Sequence, residues 1–143
     1  MQARAQAVAP VAGDLSARTA YAESERHALV SPLVLEEWMP AFLAQLAAPG
    51  TQLVRATNGD GSPLRYLFDP ERESFAEFLV DGESWTVRQG GPVALWDDVE
   101  RSLVAWRDAG APEIHSVRLR VTPASHQCWI DRAPSLRWEH RIT

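Results

Sequence analysis

The sequence contains no lysine, so all 14 of its basic side chains are arginines. Without a lysine amine the chain cannot form a Schiff base with a carbonyl substrate or with pyridoxal phosphate. The Walker A loop, the strand lysine of protein kinases and Ser-Lys catalytic pairs are excluded on the same ground. Several large classes of enzyme are therefore ruled out by composition alone.

Cysteine and long apolar runs are scarce as well. Cys128 is the single cysteine, so no internal disulfide can form, and we expect a reducing, cytoplasmic setting. No run of about 18 apolar residues is present, so we expect no membrane partner. The net charge of -5 argues against nucleic acid as a partner, because phosphate binding needs a surplus of positive charge.

Apolar periodicity, proline and glycine divide the chain into elements. Ser31-Pro32 predicts an N-cap and a short helical turn, which Pro40 separates from a helix at about 40–48. Apolar residues at three- and four-residue steps predict a longer helix over Pro92–Ala109. Alternation predicts strands at Gln52–Thr57, Leu64–Asp69, Ser74–Val80, Ser84–Gln89, Ser116–Thr122, His126–Asp131 and in a last run after Pro134.

These elements predict an α+β fold. We expect an antiparallel sheet, made of a meander of four strands plus two or three C-terminal strands, packed against two helices. The 143 residues can bury the core of one domain, which we place at residues 31–143. Residues 1–30 are rich in alanine and weakly patterned, so we predict a flexible tail or linker there, with one helical stretch near Ala17–His27.

Two motifs resemble cofactor or metal sites, and each has a simpler explanation. Gly59-Asp60-Gly61 is followed by Pro63 and a strand, whereas a nucleotide-binding loop is followed by a helix, so we interpret it as a hairpin turn. Asp97-Asp98-Val99-Glu100 begins like an acidic magnesium box, but Arg101 occupies the following position, so we interpret the acids as a solvated helix face. We expect no cofactor.

His126 and Cys128 share one side of a predicted strand, and His140 could approach them from the last strand. A structural zinc ion needs four ligands, and no second pair appears at ligand spacing. A nucleophilic Cys128 paired with His140 or His115 would need a feature that lowers the thiol pKa, and none is visible. We therefore expect no metal ion and no catalytic residue, and we interpret Cys128 as a small apolar side chain in a strand.

Arginine and tryptophan supply the candidates for partner binding. Arg118 and Arg120 share one strand face, and Arg137 and Arg141 share another. If those strands are neighbours, the four guanidinium groups form a positive patch that can dock an acidic peptide segment. Trp129 has polar residues on its side of the strand and is the best candidate for a half-exposed binding aromatic.

The alternative for these arginines is a solvated face without a function. Glu113, Asp131 and Glu139 lie nearby in the sequence and could neutralise the positive charge. Both interpretations stay open at the level of sequence, because pairing between strands decides which charges meet.

The order of structural residues resembles a known family. The segments that carry the resemblance are Val87-Arg88-Gln89-Gly90-Gly91-Pro92, Leu95-Trp96-Asp97-Asp98-Val99-Glu100, Trp106-Arg107-Asp108-Ala109-Gly110, Leu119-Arg120-Val121-Thr122-Pro123 and Trp129-Ile130-Asp131. Over about residues 31–143 the chain is similar to the C-terminal accessory domain of actinobacterial methyltransferases of the protein-L-isoaspartate O-methyltransferase type. Some of these enzymes belong to the maturation of ribosomally made peptides such as lanthipeptides.

The resemblance covers no catalytic part. Such methyltransferases bind their donor on a doubly wound domain with a glycine-rich loop, and this sequence contains no such loop. We therefore expect a non-catalytic binding domain that helps a methyltransferase-type enzyme hold a protein or peptide substrate, with that enzyme's catalytic subunit as a further partner. The alternatives are a small enzyme with a pocket lined by His and Cys, and a structural domain that dimerises through an edge strand or the Trp129 face.

Overall fold

The computed structural model describes residues 23–142 and confirms the α+β class. The α-helices are α1 (Trp38–Ala47) and α2 (Leu95–Asp108), and short 3-10 helices cover Pro32–Glu36 and Ile114–Ser116. The strands are β1 (Glu23–His27), β2 (Gln52–Thr57), β3 (Pro63–Asp69), β4 (Ser74–Asp81), β5 (Ser84–Gly90), β6 (Val117–Val121), β7 (Ser125–Ile130) and β8 (Ala133–Arg141). All the strands and helices expected from periodicity are present.

The strands form two antiparallel sheets. One sheet has the order β1-β5-β4-β3-β2, and the other has the order β6-β7-β8. The predicted four-stranded meander is β2 to β5, and the three C-terminal strands form a sheet of their own. Within the described range, no helix is long and apolar enough to cross a bilayer.

The described residues group into two compact units. The first comprises the residues up to Pro32 together with Gly50–Asp98, and the second comprises Leu33–Pro49 and the residues from Val99 onward. The expectation of one domain over residues 31–143 stays a prediction.

The first unit contains the five-stranded sheet and the start of α2. One face of the sheet carries a core cluster, to which β2, β3 and β4 contribute alternate side chains. Its members are Val54, Leu64, Tyr66 and Phe75. At the start of α2, the fully buried Trp96 meets Phe78 of β4 edge-on, with ring centroids 5.1 Å apart. The side chain of Gln89 accepts a hydrogen bond from the Trp96 backbone N–H at 2.8 Å and so holds the helix start against β5.

Strand β1 corrects the prediction of a flexible tail over residues 1–30. Glu23–His27 pairs with β5 over its whole length, so the described end of Ala17–His27 is extended and not helical, and residues 1–22 lie outside the described part of the chain. All five residues of β1 are polar, and no apolar alternation marks it. Ion pairs hold it instead: Arg26 contacts Asp97 at 2.7 Å, and Glu23 contacts Arg88 of β5 at 3.1 Å.

The second unit contains α1, most of α2 and the three-stranded sheet. Buried apolar side chains come from all three elements, among them Leu43, Ala44, Val99, Leu103, Cys128, Ile130 and Leu136. Helix α1 begins at Trp38, before the predicted start, and Pro40 lies inside its first turn. Proline is tolerated there because the first N–H groups of a helix have no intrahelical partner.

Candidate functional site

One face of the three-stranded sheet gathers the arginines and the tryptophan that the sequence singled out. The strand register pairs Trp129 of β7 with Arg118 of β6 on one side and with Arg137 of β8 on the other. Directly paired residues of an antiparallel sheet lie on the same face, and alternate residues of a strand share that face. Arg120 and Arg141 therefore lie on it as well. We call this surface, defined by Arg118, Arg120, Trp129, Arg137 and Arg141, the arginine face.

The two arginine-bearing strands are not direct neighbours. Strand β7 lies between β6 and β8, so the two arginine pairs lie on either side of Trp129. The patch of four guanidinium groups was expected only if the two strands were neighbours, and they are not. Arg120 and Arg137 nevertheless both approach Trp129, one from each side of β7.

Trp129 is half-buried and lies close to two guanidinium groups. The Cζ atom of Arg137 is 5.0 Å from the centroid of the indole ring, and the Cζ atom of Arg120 is 5.9 Å from it. Both distances are within the range in which a cation is attracted to an aromatic ring, about 6 Å. This contact orients the two arginines and leaves the N–H groups at the guanidinium edges able to donate to a carboxylate.

The charges of the arginine face are only partly neutralised. Arg118 makes an ion pair with Asp131 at 2.7 Å and donates to the backbone oxygen of His115 at 2.9 Å. Arg141 lies 4.0 Å from Glu139 in an exposed contact, which contributes little. Among residues 23–142, no carboxylate lies within ion-pair distance of Arg120 or Arg137.

Glu113, the third acid that could neutralise the arginines, makes its ion pair with His115, which is not part of the arginine face. Glu113 lies 3.7 Å from the Nδ1 atom of His115, and both side chains are strongly exposed. The neutralisation expected in the alternative is found for Arg118. Glu139 lies on the same face, between Arg137 and Arg141, and no ion pair of Arg120 or Arg137 is found among residues 23–142.

The opposite face of the same sheet borders a pocket of about 330 Å³. Pockets that bind small molecules are usually this large or larger. His126 is paired across the strands with His140, and Cys128 is paired with Trp138. The sheet contributes Leu119, His126, Cys128, Trp138 and His140 to the lining, and α1 contributes Leu46.

The pocket brings together the three residues weighed earlier as a metal or nucleophile site. Burial raises the pKa of the Cys128 thiol, so at neutral pH the side chain is a neutral thiol and a poor nucleophile. In the described part of the chain, no group of three His, Cys, Asp or Glu side chains is arranged to hold a metal ion. The pocket can therefore enclose an apolar group, with two imidazoles at its lining.

The acidic start of α2 is not the solvated face that the sequence suggested. The Oδ1 atom of Asp97 accepts hydrogen bonds from Arg26 at 2.7 Å and from Gln89 at 2.8 Å. Glu100 is only 3% exposed. Asp97 therefore stabilises the attachment of β1 and the contact with Gln89, and Glu100 is buried, so the interpretation as a solvated face is wrong for both.

Sequence reasoning missed two exposed apolar residues beside the arginine face. Leu119 and Val121 of β6 alternate with Arg118 and Arg120, a pattern typical of a strand with one buried face, yet they are 66% and 61% exposed. The alternation is intact, so no local signal distinguishes this strand from a covered one. Strand β6 lies at the edge of its sheet, and these two side chains on it are largely uncovered.

Comparisons with family models, with curated proteins and with solved structures give no match to this chain. The resemblance to a methyltransferase accessory domain thus stays a prediction.

Proposed function

We propose that this chain is a non-catalytic binding domain whose arginine face holds an acidic segment of a protein or peptide. The observation that carries the proposal is the group formed by Arg120, Trp129 and Arg137. Two cations without a carboxylate partner among the described residues lie against one half-buried aromatic ring. An incoming carboxylate can receive charge-assisted hydrogen bonds from both guanidinium groups, and the indole keeps them oriented.

The proposal includes a role beside a methyltransferase-type enzyme that modifies peptides or proteins, in the manner of actinobacterial peptide maturation. Support for this part comes from the order of residues described above, and not from the geometry of the site. In this role the domain binds the substrate while a separate catalytic subunit binds the methyl donor. Both would work in the cytoplasm, where the single cysteine stays reduced.

The direct test is calorimetric titration of the full chain with a blocked peptide of alternating glutamate and valine, at low and at high salt. We expect binding that weakens as salt rises, because exposed charges are screened. Replacing Arg120 or Arg137 by Ala removes a charge-assisted hydrogen bond, and we expect each change to weaken binding about tenfold, or about 1.4 kcal/mol.

The matched control is Arg107→Ala on α2, which removes an equal charge from an exposed position outside the arginine face. We expect this variant to bind the peptide like the unaltered chain. Failure of the chain to bind any acidic peptide, or equal weakening by all three variants, would contradict the proposal.

A second candidate function, a small enzyme working in the pocket, is favoured by the meeting of His126, Cys128 and His140 there. Its test is the rate of alkylation of Cys128 by iodoacetamide at neutral pH, compared in the folded chain and in urea. Because burial raises the thiol pKa, we expect the folded chain to react more slowly. A faster reaction in the folded chain would indicate an activated thiol and would support the enzyme.

A further inference from the structure

Strand β6 is an open edge of the three-stranded sheet. It pairs only with β7 among the described strands, and four of its five residues are exposed. Such an edge presents backbone groups on which another strand can form. A short strand with two arginines has the usual protection of an edge, yet Leu119 and Val121 remain largely exposed on it.

The hydrogen bonds at the two ends of the β6–β7 hairpin define which backbone groups point outward. The N–H of Thr122 donates to the oxygen of Ser125 at 2.9 Å, and the N–H of Asp131 donates to the oxygen of Ser116 at 3.0 Å. Bonded and non-bonded pairs alternate along an antiparallel ladder. The backbone N–H and C=O groups of Arg118 and Arg120 therefore bond to β7, whereas those of Leu119 and Val121 point away from it.

The two sides of this edge differ in chemistry. On one side, Arg118 and Arg120 belong to the arginine face. On the other side, Leu119 and Val121 are apolar, and Leu119 also lines the pocket of about 330 Å³. A strand added beside β6 would place alternate side chains next to the arginines and the remaining ones next to Leu119.

A second copy of the chain does not suit this edge in the register centred on Leu119. If two copies of β6 paired antiparallel with Leu119 at the centre, Arg118 of each would face Arg120 of the other. Like charges directly opposite each other destabilise a strand pair. A partner strand that carries acids at alternate positions would instead meet opposite charge at Arg120, and it would meet at Arg118 a guanidinium group that already pairs with Asp131.

We propose that β6 accepts, as a fourth strand of this sheet, an extended peptide in which acidic and apolar residues alternate. The acids lie beside Arg118 and Arg120, and the apolar side chains lie beside Leu119 and over the pocket. This inference rests on the proposed function and adds to it the conformation and the sequence pattern of the bound segment. Main-chain hydrogen bonds supply affinity in this mode, and alternate side chains supply specificity.

The experiment measures amide hydrogen exchange by NMR in the full chain, with and without a blocked peptide of alternating glutamate and valine, about seven residues long to span a strand. At a peptide concentration about tenfold above Kd, we expect exchange at Leu119 and Val121 to slow about tenfold, because the amides are free only about a tenth of the time. The amides of Arg118 and Arg120 are internal controls, since they already bond to β7.

Two pairs of peptides separate this inference from the proposed function. The first control peptide has the same composition with all glutamates before all valines, and we expect it to bind more weakly and to leave Leu119 and Val121 unprotected. The second pair carries backbone N-methyl groups either on every valine or on every glutamate. Only one set of amides can face β6, so we expect one of these peptides to lose binding and the other to retain it.

The outcomes are distinct. Binding that depends on Arg120 and Arg137 but leaves exchange at Leu119 unchanged would overturn strand addition and keep the proposed function. Equal binding by both N-methylated peptides, or loss of binding by both, would also overturn it. Protection of Leu119 that grows with protein concentration in the absence of peptide would show that a second copy occupies the edge. No binding by any of these acidic peptides would overturn both proposals.

Discussion

Replacing Gly91 with Ala tests how closely the backbone segments of the first unit approach each other. Gly91 follows β5 with φ at +95°, and a Cβ atom added there would lie 2.5 Å from the backbone oxygen of Glu73 and 2.7 Å from the Cα atom of Ser74. The Ser74 side chain, 2.8 Å from the same Cβ position, accepts a hydrogen bond from the Val93 N–H at 3.1 Å and donates to the Arg72 oxygen at 3.1 Å. A methyl group at residue 91 must therefore displace the backbone at Glu73 and Ser74 and break the two hydrogen bonds of the Ser74 side chain.

The magnitude follows from two contributions. A left-handed backbone conformation costs a residue with a Cβ atom about 1–2 kcal/mol. The loss of the two Ser74 hydrogen bonds adds about 1 kcal/mol for each. We expect Gly91→Ala to lower the free energy of unfolding by about 3–4 kcal/mol, a large loss for a single domain.

Gly82→Ala is the matched control. Gly82 also has a positive φ, +65°, but a Cβ atom there meets nothing within 4 Å. Only the conformational cost applies, so we expect a loss of about 1–2 kcal/mol. The assay is urea unfolding of the full chain, followed by tryptophan fluorescence and repeated by circular dichroism. Equal losses in the two variants would refute the reasoning, because they would show that the backbone at Glu73 and Ser74 yields without cost.

Two further predictions concern ionisation in the first unit. Burial alone would raise the pKa of Asp69, but hydrogen bonds and charge from Arg72 outweigh it and hold the pKa below its ordinary value. The stability that this carboxylate contributes is therefore present above the pKa that Asp69 has in the unfolded chain, and it is lost as the pH falls through the pKa that Asp69 has in the folded chain. We expect Asp69→Asn to reduce the fall of the urea unfolding midpoint at acid pH. An unchanged fall would contradict this reasoning. Burial, with a smaller effect of Glu77, raises the pKa of Tyr66 to about 12. In a spectrophotometric titration we expect this phenol to ionise at a higher pH than an exposed tyrosine does. Tyr66→Phe should remove the absorbance change at that higher pH.

The elements that could be predicted from sequence are those whose burial pattern is periodic. Helix α2 buries an apolar stripe, so three- and four-residue steps revealed it. In β3 the alternation of Leu64 and Tyr66 with Arg65 was sufficient, although Leu67 on the opposite face is buried as well. Strand β1 has no apolar residue and is held by its pairing with β5 and by ion pairs such as Arg26 with Asp97, so periodicity could not reveal it. The start of α1 was placed too late because proline is tolerated in the first turn of a helix.

The candidate site was partly predictable for a similar reason. The alternation within β6 and β8 established which arginines share a strand face, but pairing through β7 depends on the order of strands, which a single strand does not encode. The contact of Arg120 and Arg137 with Trp129 followed only from the register. The open edge at Leu119 left no mark at all, because an uncovered apolar face and a covered one have the same pattern.

The pairing of β1 with β5 affects how this chain can be shortened for experiments. A fragment that starts at residue 31, where proline and the first helical turn suggest a natural boundary, would lack Glu23–His27. It would uncover the backbone groups of β5 that β1 now occupies, and a newly exposed edge of this kind promotes aggregation. Fragments used for titration or NMR should therefore begin upstream of Glu23.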